Sequence, residues 1–393
     1  MSMITTSKEE LMTKDPMSVP PDFLALPDLA CRSLGGSVVA ANDEFFAERE
    51  NLISPGPPQF ARDAFGHKGK VYDGWETRRR REPGHDYAIV RLAAPGTVKG
   101  VVVDTAWFTG NFPPQVSVEG TSLDGYPSLH ELEHCDWTPL VRKSPVRGDS
   151  ANLFAVDDDR CFTHIRLSIF PDGGVARLRV HGTARPDPRL LTGTIDLAGA
   201  TQGGVVVACS NTHYSSPSQL LLPGRATNMG DGWETARRRE GEKDFVAVQL
   251  GARGLIRRIE VDTSFFIGNA PGWARVLGAD VPPGHPVPEL DVAWREIVPK
   301  TKIQPDTRHI LHIRGLEPAT HVRLEIFPDG GLSRLRVLGE VDADDLERYA
   351  LEWINALPEG HSLSAGSSSD RSDCVRELLG HRPLSLPGNV PRN

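Results

Sequence analysis

Ile169-Phe170-Pro171-Asp172-Gly173-Gly174-Val175-Ala176-Arg177-Leu178-Arg179-Val180 returns later in the chain as Ile326-Phe327-Pro328-Asp329-Gly330-Gly331-Leu332-Ser333-Arg334-Leu335-Arg336-Val337. Each copy alternates apolar and polar residues on both sides of a Pro-Asp-Gly-Gly turn, which predicts strand, turn and strand, a β-hairpin. Further segments repeat around it. Asp73-Gly74-Trp75-Glu76-Thr77-Arg78-Arg79-Arg80-Arg81 returns as Asp231-Gly232-Trp233-Glu234-Thr235-Ala236-Arg237-Arg238-Arg239, and Val103-Asp104-Thr105-Ala106-Trp107-Phe108-Thr109-Gly110-Asn111 as Val261-Asp262-Thr263-Ser264-Phe265-Phe266-Ile267-Gly268-Asn269. The copies lie 157 or 158 positions apart. Solenoid repeats have periods of roughly 20–50 residues, so this is the duplication of a whole domain.

Period-two alternation dominates both copies. Tyr87 to Leu92, Val98 to Ala106, Gln115 to Glu119, His164 to Phe170 and Val175 to Val180 read as separate strands, as do Phe245 to Leu250 and Leu255 to Thr263. Gly, Pro and Asp clusters separate them. The expected class is all-β: two tandem homologous antiparallel β-sandwich (jelly-roll) repeats with short terminal extensions. The expected boundaries are a flexible N-terminal arm at 1–32, repeat one at 33–187, repeat two at 188–340, and a C-terminal helix with a disordered tail at 341–393. Leu346, Tyr349, Ala350 and Trp353 give the helix its spacing. The Ser/Gly-rich and then Pro-rich remainder lacks apolar pattern.

The 393 residues carry 44 Lys and Arg against 52 Asp and Glu, a net charge of −8. That mild acidity argues against a nucleic-acid partner, which needs a basic surface. No stretch approaches the ~20 apolar residues of a membrane span, and the first 20 residues lack the apolar centre of a signal peptide. Five cysteines without CxxC spacing fit free thiols in a reducing cytoplasm.

Taken in order, these paired motifs resemble the allantoicase (allantoate amidinohydrolase) family. Asn42-Asp43-Glu44-Phe45-Phe46 in repeat one and Ser210-Asn211-Thr212-His213-Tyr214 in repeat two complete the resemblance, which covers about 38–340. It implies two galactose-binding-like jelly rolls and hydrolysis of allantoate to ureidoglycolate and urea, a step of purine breakdown. It also implies a homo-oligomer, trimer or hexamer.

Allantoate carries one carboxylate and two ureido groups on one carbon. Expelling urea requires protonation of a poor nitrogen leaving group and delivery of water to that carbon. Glu76 and Glu234, each between a Trp and an Arg run, are the expected acid or base. Asp43 and Glu44 in repeat one, His213 at the same place in repeat two, and His85 complete the catalytic candidates. Arg78, Arg80, Arg237 and Arg239 are candidates for the substrate carboxylate. Asp104, Asp262, Asn111 and Asn269 are candidates for the ureido groups. The Asp pair alternatively forms turns at strand ends, and Asn after Gly suits a left-handed turn. Trp75 and Trp233 read as core anchors.

His130-Glu131-Leu132-Glu133-His134 matches H-E-x-x-H, which binds zinc only when a helix puts both His on one face. It lies in a stretch read as loop-rich, so no metal ligand is assigned. No cofactor is required by the sequence, and a divalent metal stays open. The competing functional reading is a non-catalytic tandem β-sandwich that binds a small anion or a carbohydrate. A further one is a structural oligomer held by the Arg runs. The repeats differ at Phe45/His213 and His85/Lys243, which points to one working site per chain.

Overall fold

The computed structural model describes residues 22–61, 63–239, 242–282, 293–313 and 317–359, together with 361, 375 and 378–380. Repeat one comprises β1 (Ser37–Ala41), β2 (Trp75–Glu76), β3 (Asp86–Asp104), β4 (Gln115–Thr121), β5 (Thr138–Pro145), β6 (Ala151–Ala155), β7 (Cys161–Phe170), β8 (Gly174–Val175) and β9 (Arg177–Ala184). All pairings among them are antiparallel. Repeat two reproduces them, from Val205–Cys209 and Trp233–Glu234 to Arg334–Val341. The all-β tandem architecture follows directly from the period-two pattern.

Two expectations about the strands are corrected. The predicted strands at 87–92 and 98–106 are one strand, β3, 19 residues long. Ala94-Pro95-Gly96 does not end it, because Pro95 supplies only its carbonyl, which accepts from Arg185 N at 2.6 Å. A proline fits a strand where no N–H is needed. The predicted hairpin is not one either. β7 pairs with Asp86–Arg91 of β3 and, after a register shift, with Gly96 and Thr97, whereas β9 pairs with Gly96–Asp104. The Pro-Asp-Gly-Gly turn is thus a crossover between the two ends of one long strand. Alternation identifies a strand but not its partner, so hairpin and crossover have the same sequence pattern.

That crossover positions the Trp75 segment. β8, just after the turn, pairs with β2. Gly173, at φ 144°, holds a conformation that a side chain would strain, and its carbonyl accepts from Thr77 N at 3.1 Å. Trp75 and Trp233 are fully buried in a cluster of apolar side chains that runs through both repeats.

The N-terminal boundary also shifts. Phe23, Leu29 and Ala30 are buried, and Leu29 N donates to Val180 O at 2.7 Å. Residues 22–32 therefore pack on repeat one, while the earlier part of the expected arm lies outside the described residues. Ala343–Asn355 is a helix, α2, its N-terminus capped by Asp342. It follows repeat two but reaches back to repeat one. Tyr349 Oη donates to Pro186 O at 2.9 Å and Trp353 Nε1 to Arg185 O at 3.1 Å, and Cys161 N donates to Ala356 O at 2.6 Å. Val375 and Leu378, from the tail expected to lack structure, are buried against this helix; most of that tail lies outside the described residues. Tyr349→Phe is expected to lower stability by about 1 kcal/mol through loss of one buried hydrogen bond. An unchanged denaturation midpoint would show that the bond to Pro186 contributes nothing.

No helix among the described residues is long and apolar enough to cross a membrane.

Candidate functional site

In an extended chain alternate side chains face opposite ways. Trp75 and Thr77 point into repeat one and are buried, which leaves Glu76 and Arg78 on the other face. The Trp75 indole donates to Asp43 O at 2.7 Å. The Asp43 carboxylate accepts from the N–H groups of Phe45 and Arg78 at 3.0 and 3.1 Å and from Arg78 Nε at 2.6 Å. Burial opposes its ionisation, but those N–H groups and the guanidinium outweigh it and hold this carboxyl below the usual range.

Glu76 is half-buried. Burial pushes its pKa up, and the one opposing contact is a hydrogen bond from Asn111 Nδ2 to Oε1 at 2.7 Å. A carboxyl raised in this way keeps its proton to higher pH, as a general acid requires. Among the described residues the Arg78 side chain hydrogen-bonds only through Nε, and 65% of it is exposed. Phe45 and Phe46, ring centroids 5.2 Å apart, are both exposed beside it. The Arg78 guanidinium and Lys68 Nζ lie 5.5 and 4.9 Å from the Phe45 ring centre. Repeat one therefore presents a half-buried acid, an amide, a cation with free donors and an aromatic wall. Lys68 and the exposed Phe pair are members that the sequence reading missed or used only as family markers. Lys68 lies outside every repeated motif.

Repeat two keeps half of this. Glu234 Oε1 accepts from Asn269 Nδ2 at 2.6 Å and Trp233 Nε1 donates to Asn211 O at 2.8 Å. Ala236 N donates to Asn211 Oδ1, so Ala236 stands where Arg78 does and Asn211 where Asp43 does. Both the cation and the carboxylate that orients it are gone. His213 and Tyr214 replace the Phe pair as an exposed edge-to-face pair, centroids 4.5 Å apart.

The other candidates have different employment. Arg80 Nη1 binds Asp86 at 2.6 Å and Arg238 Nη2 binds Asp244 at 2.8 Å, while their backbone N–H groups donate to Asp172 and Asp329 of the crossover turns. These are the equivalent arginines. Arg237 and Arg239, chosen by alternation, are exposed, and the constant offset of 158 already paired Arg80 with Arg238. Glu44 accepts from Arg49 N at 3.1 Å and fixes the turn at Arg49–Ile53. Asp104 accepts from Ala106 N, and Asp262 from Ser264 N and Oγ; both close Asx turns at strand ends. The left-handed residues there are Trp107 and Phe265, each at φ 69°, not Asn111 and Asn269. The His85 ring packs tilted against Phe170, centroids 4.7 Å apart. Burial first, then Arg166 and Arg80, push its pKa down.

The H-E-x-x-H stretch corrects the loop expectation, since Leu129–His134 is a short helix, α1. Its Glu131 closes a capping box with Ser128, and the two His rings stack 4.3 Å apart. Among the described residues no group of three or more His, Cys, Asp or Glu is placed to hold a metal.

Comparison with known proteins gives a consistent result. The family model described as "Allantoicase repeat" matches residues 27–185 and 195–342. A "Probable allantoicase" of Nocardia farcinica is 52% identical over 326 residues, covering 82% of this chain and 96% of that protein. One of Streptomyces coelicolor is 48% identical over 342 residues, covering 84% and 89%. The crystal structure of allantoicase from Saccharomyces cerevisiae matches with a TM-score of 0.68 at 38% identity, covering 80% of this chain and 92% of that one. With the repeat matched twice and the relatives covered almost end to end, the chain belongs to the allantoicase family.

Proposed function

We infer that this chain hydrolyses allantoate to ureidoglycolate and urea, and that the reaction centre is the repeat-one group of Glu76, Asn111, Arg78 and Asp43. The observation that carries the assignment is the juxtaposition of a half-buried Glu76, whose pKa burial pushes up, with an exposed Arg78 guanidinium on the same face of one extended segment. In repeat two Ala236 leaves the matching Glu234 without that cation. Arg78, oriented by Asp43, takes the substrate carboxylate. Protonated Glu76 gives its proton to one ureido nitrogen as the bond from that nitrogen to the central carbon breaks, and urea leaves. The nitrogen lone pair of the retained ureido group stabilises the electron-poor carbon. Water then adds to that carbon and returns one proton to Glu76. The net change is one C–N bond broken and one C–O bond formed, with the carboxyl restored.

Urea release from allantoate by the purified protein is the direct test. Arg78→Gln is expected to lower kcat/KM by about 10- to 100-fold, the value of a charge-assisted hydrogen bond, mainly through KM, with partial recovery in Arg78→Lys. A wild-type KM in Arg78→Gln would remove Arg78 from the site. We further assign the chain to the cytoplasm as a homo-oligomer, trimer or hexamer. The free thiols of Cys31, Cys135 and Cys161 support a reducing compartment. Light scattering on the purified protein tests the assembly.

A further inference from the structure

We infer that the cavity between the two repeats is a second binding site, for a small organic monocarboxylate, with Arg334 as its anchor. The cavity measures about 780 Å³, with Leu26 of the N-terminal segment and Arg179 of repeat one on one wall and Leu222, Arg225, Asp231 and Arg334 of repeat two on the other. Small-molecule sites typically span about 300–1,000 Å³.

The inference rests on a difference between two equivalent arginines. Arg177 and Arg334 open the same strand in the two repeats and are both buried. Arg177 is saturated: Nη2 binds the Asp73 carboxylate at 2.7 Å, Nη1 donates to Asp73 O at 3.0 Å, and Nε donates to Gly56 O at 3.1 Å. Arg334, 5% exposed, uses only Nη1, which donates to Asp231 O and Ser333 O at 2.7 Å each. Its buried Nε has no partner among the described residues, and no described carboxylate lies within ion-pair distance of it. The equivalent carboxylate, Asp231, has turned away: its Oδ2 accepts from Thr227 N at 2.7 Å and from the Thr227 hydroxyl.

Asp231 and Asp262 act on the Arg334 guanidinium only at longer range; a buried guanidinium with no carboxylate bound directly to it is costly, and repeat one shows how the fold otherwise meets that cost. The Nε–Nη2 edge left open is the edge that binds a carboxylate through two parallel hydrogen bonds. Arg225 on the same wall is exposed and has no ion pair among the described residues. Leu26 and Leu222 accommodate an apolar body, which favours an organic acid over inorganic phosphate. Asp231, also on that wall, disfavours a second negative charge.

The test is a thermal-shift titration of the full chain with butyrate, against chloride and inorganic phosphate at matched ionic strength. It is run in the wild type and in Arg78→Gln, so that the proposed reaction centre cannot account for the signal and a failure of the allantoate assignment leaves this result intact. We expect a saturable rise in midpoint with butyrate in both. Arg334→Met should weaken the half-saturating concentration about tenfold or more, as loss of a buried ligand-binding charge does. Arg225→Gln should weaken it less and serves as the readout if Arg334→Met does not fold. A butyrate response no larger than that of chloride overturns the proposal. So does saturation by phosphate but not butyrate, or an unchanged titration in a folded Arg334→Met, or in Arg225→Gln where it is the readout.

Discussion

Glu76→Gln is expected to lower kcat for urea release by about 10²- to 10⁴-fold, the span of general acid catalysis, while Glu234→Gln stays close to the wild type. The two residues share a Trp before them and an Asn amide at 2.6–2.7 Å, so a merely structural role would make the variants behave alike. Only Glu76 has an open guanidinium two residues on. The reaction starts from protonated Glu76, so kcat/KM should fall as pH rises through its pKa, and Glu76→Gln should lose that limb. The Asn111 hydrogen bond is what lowers the pKa against burial. Asn111→Leu therefore moves the limb to higher pH, and movement to lower pH would sink the acid-first order. Linkage gives a second sign. A carboxyl with a raised folded-state pKa stabilises the protein while protonated and loses that contribution as pH climbs from the unfolded pKa through the folded one. Glu76→Gln should thus be at least as stable as the wild type at neutral pH, as expected where function holds an ionisable group partly out of water.

The residues that could be placed from sequence were those whose chemistry is local. Alternation gave the strands, and the burial of Trp75 and Trp233 followed from their setting in repeated turns. Partner choice was not legible, because β7 and β9 carry the same pattern whether they pair with each other or with the two ends of β3. Of the site, Glu76 and Asn111 were named separately, but 35 positions apart only the fold could join them. Alternation within the Arg runs led to Arg237 and Arg239, whereas the register of the duplication selects Arg238, tied to Asp244. The change from Arg78 to Ala236 was visible in the sequence. Its meaning was not, because it depends on the parallel change of the orienting partner from Asp43 to Asn211.

Trp233→Ala is expected to cost about 3–5 kcal/mol, the usual range for a fully buried Trp, and Trp75→Ala about the same. They should part company in activity. Trp75 holds the Asp43 carbonyl and the extended segment bearing Glu76 and Arg78, so Trp75→Ala should lose turnover even where it remains folded. Folded Trp233→Ala should retain it. The shape of unfolding is the more demanding measurement. The buried apolar cluster runs without interruption from repeat one into repeat two, and α2 ties repeat two to Arg185, Pro186 and, through Ala356, Cys161. If these contacts couple the repeats, calorimetry of Trp233→Ala will show one transition displaced as a whole to lower temperature. Two independent sandwiches would instead give a low-temperature transition for repeat two and an unmoved one for repeat one. That split would mean that the helix and the shared core join the repeats without making them a single cooperative unit.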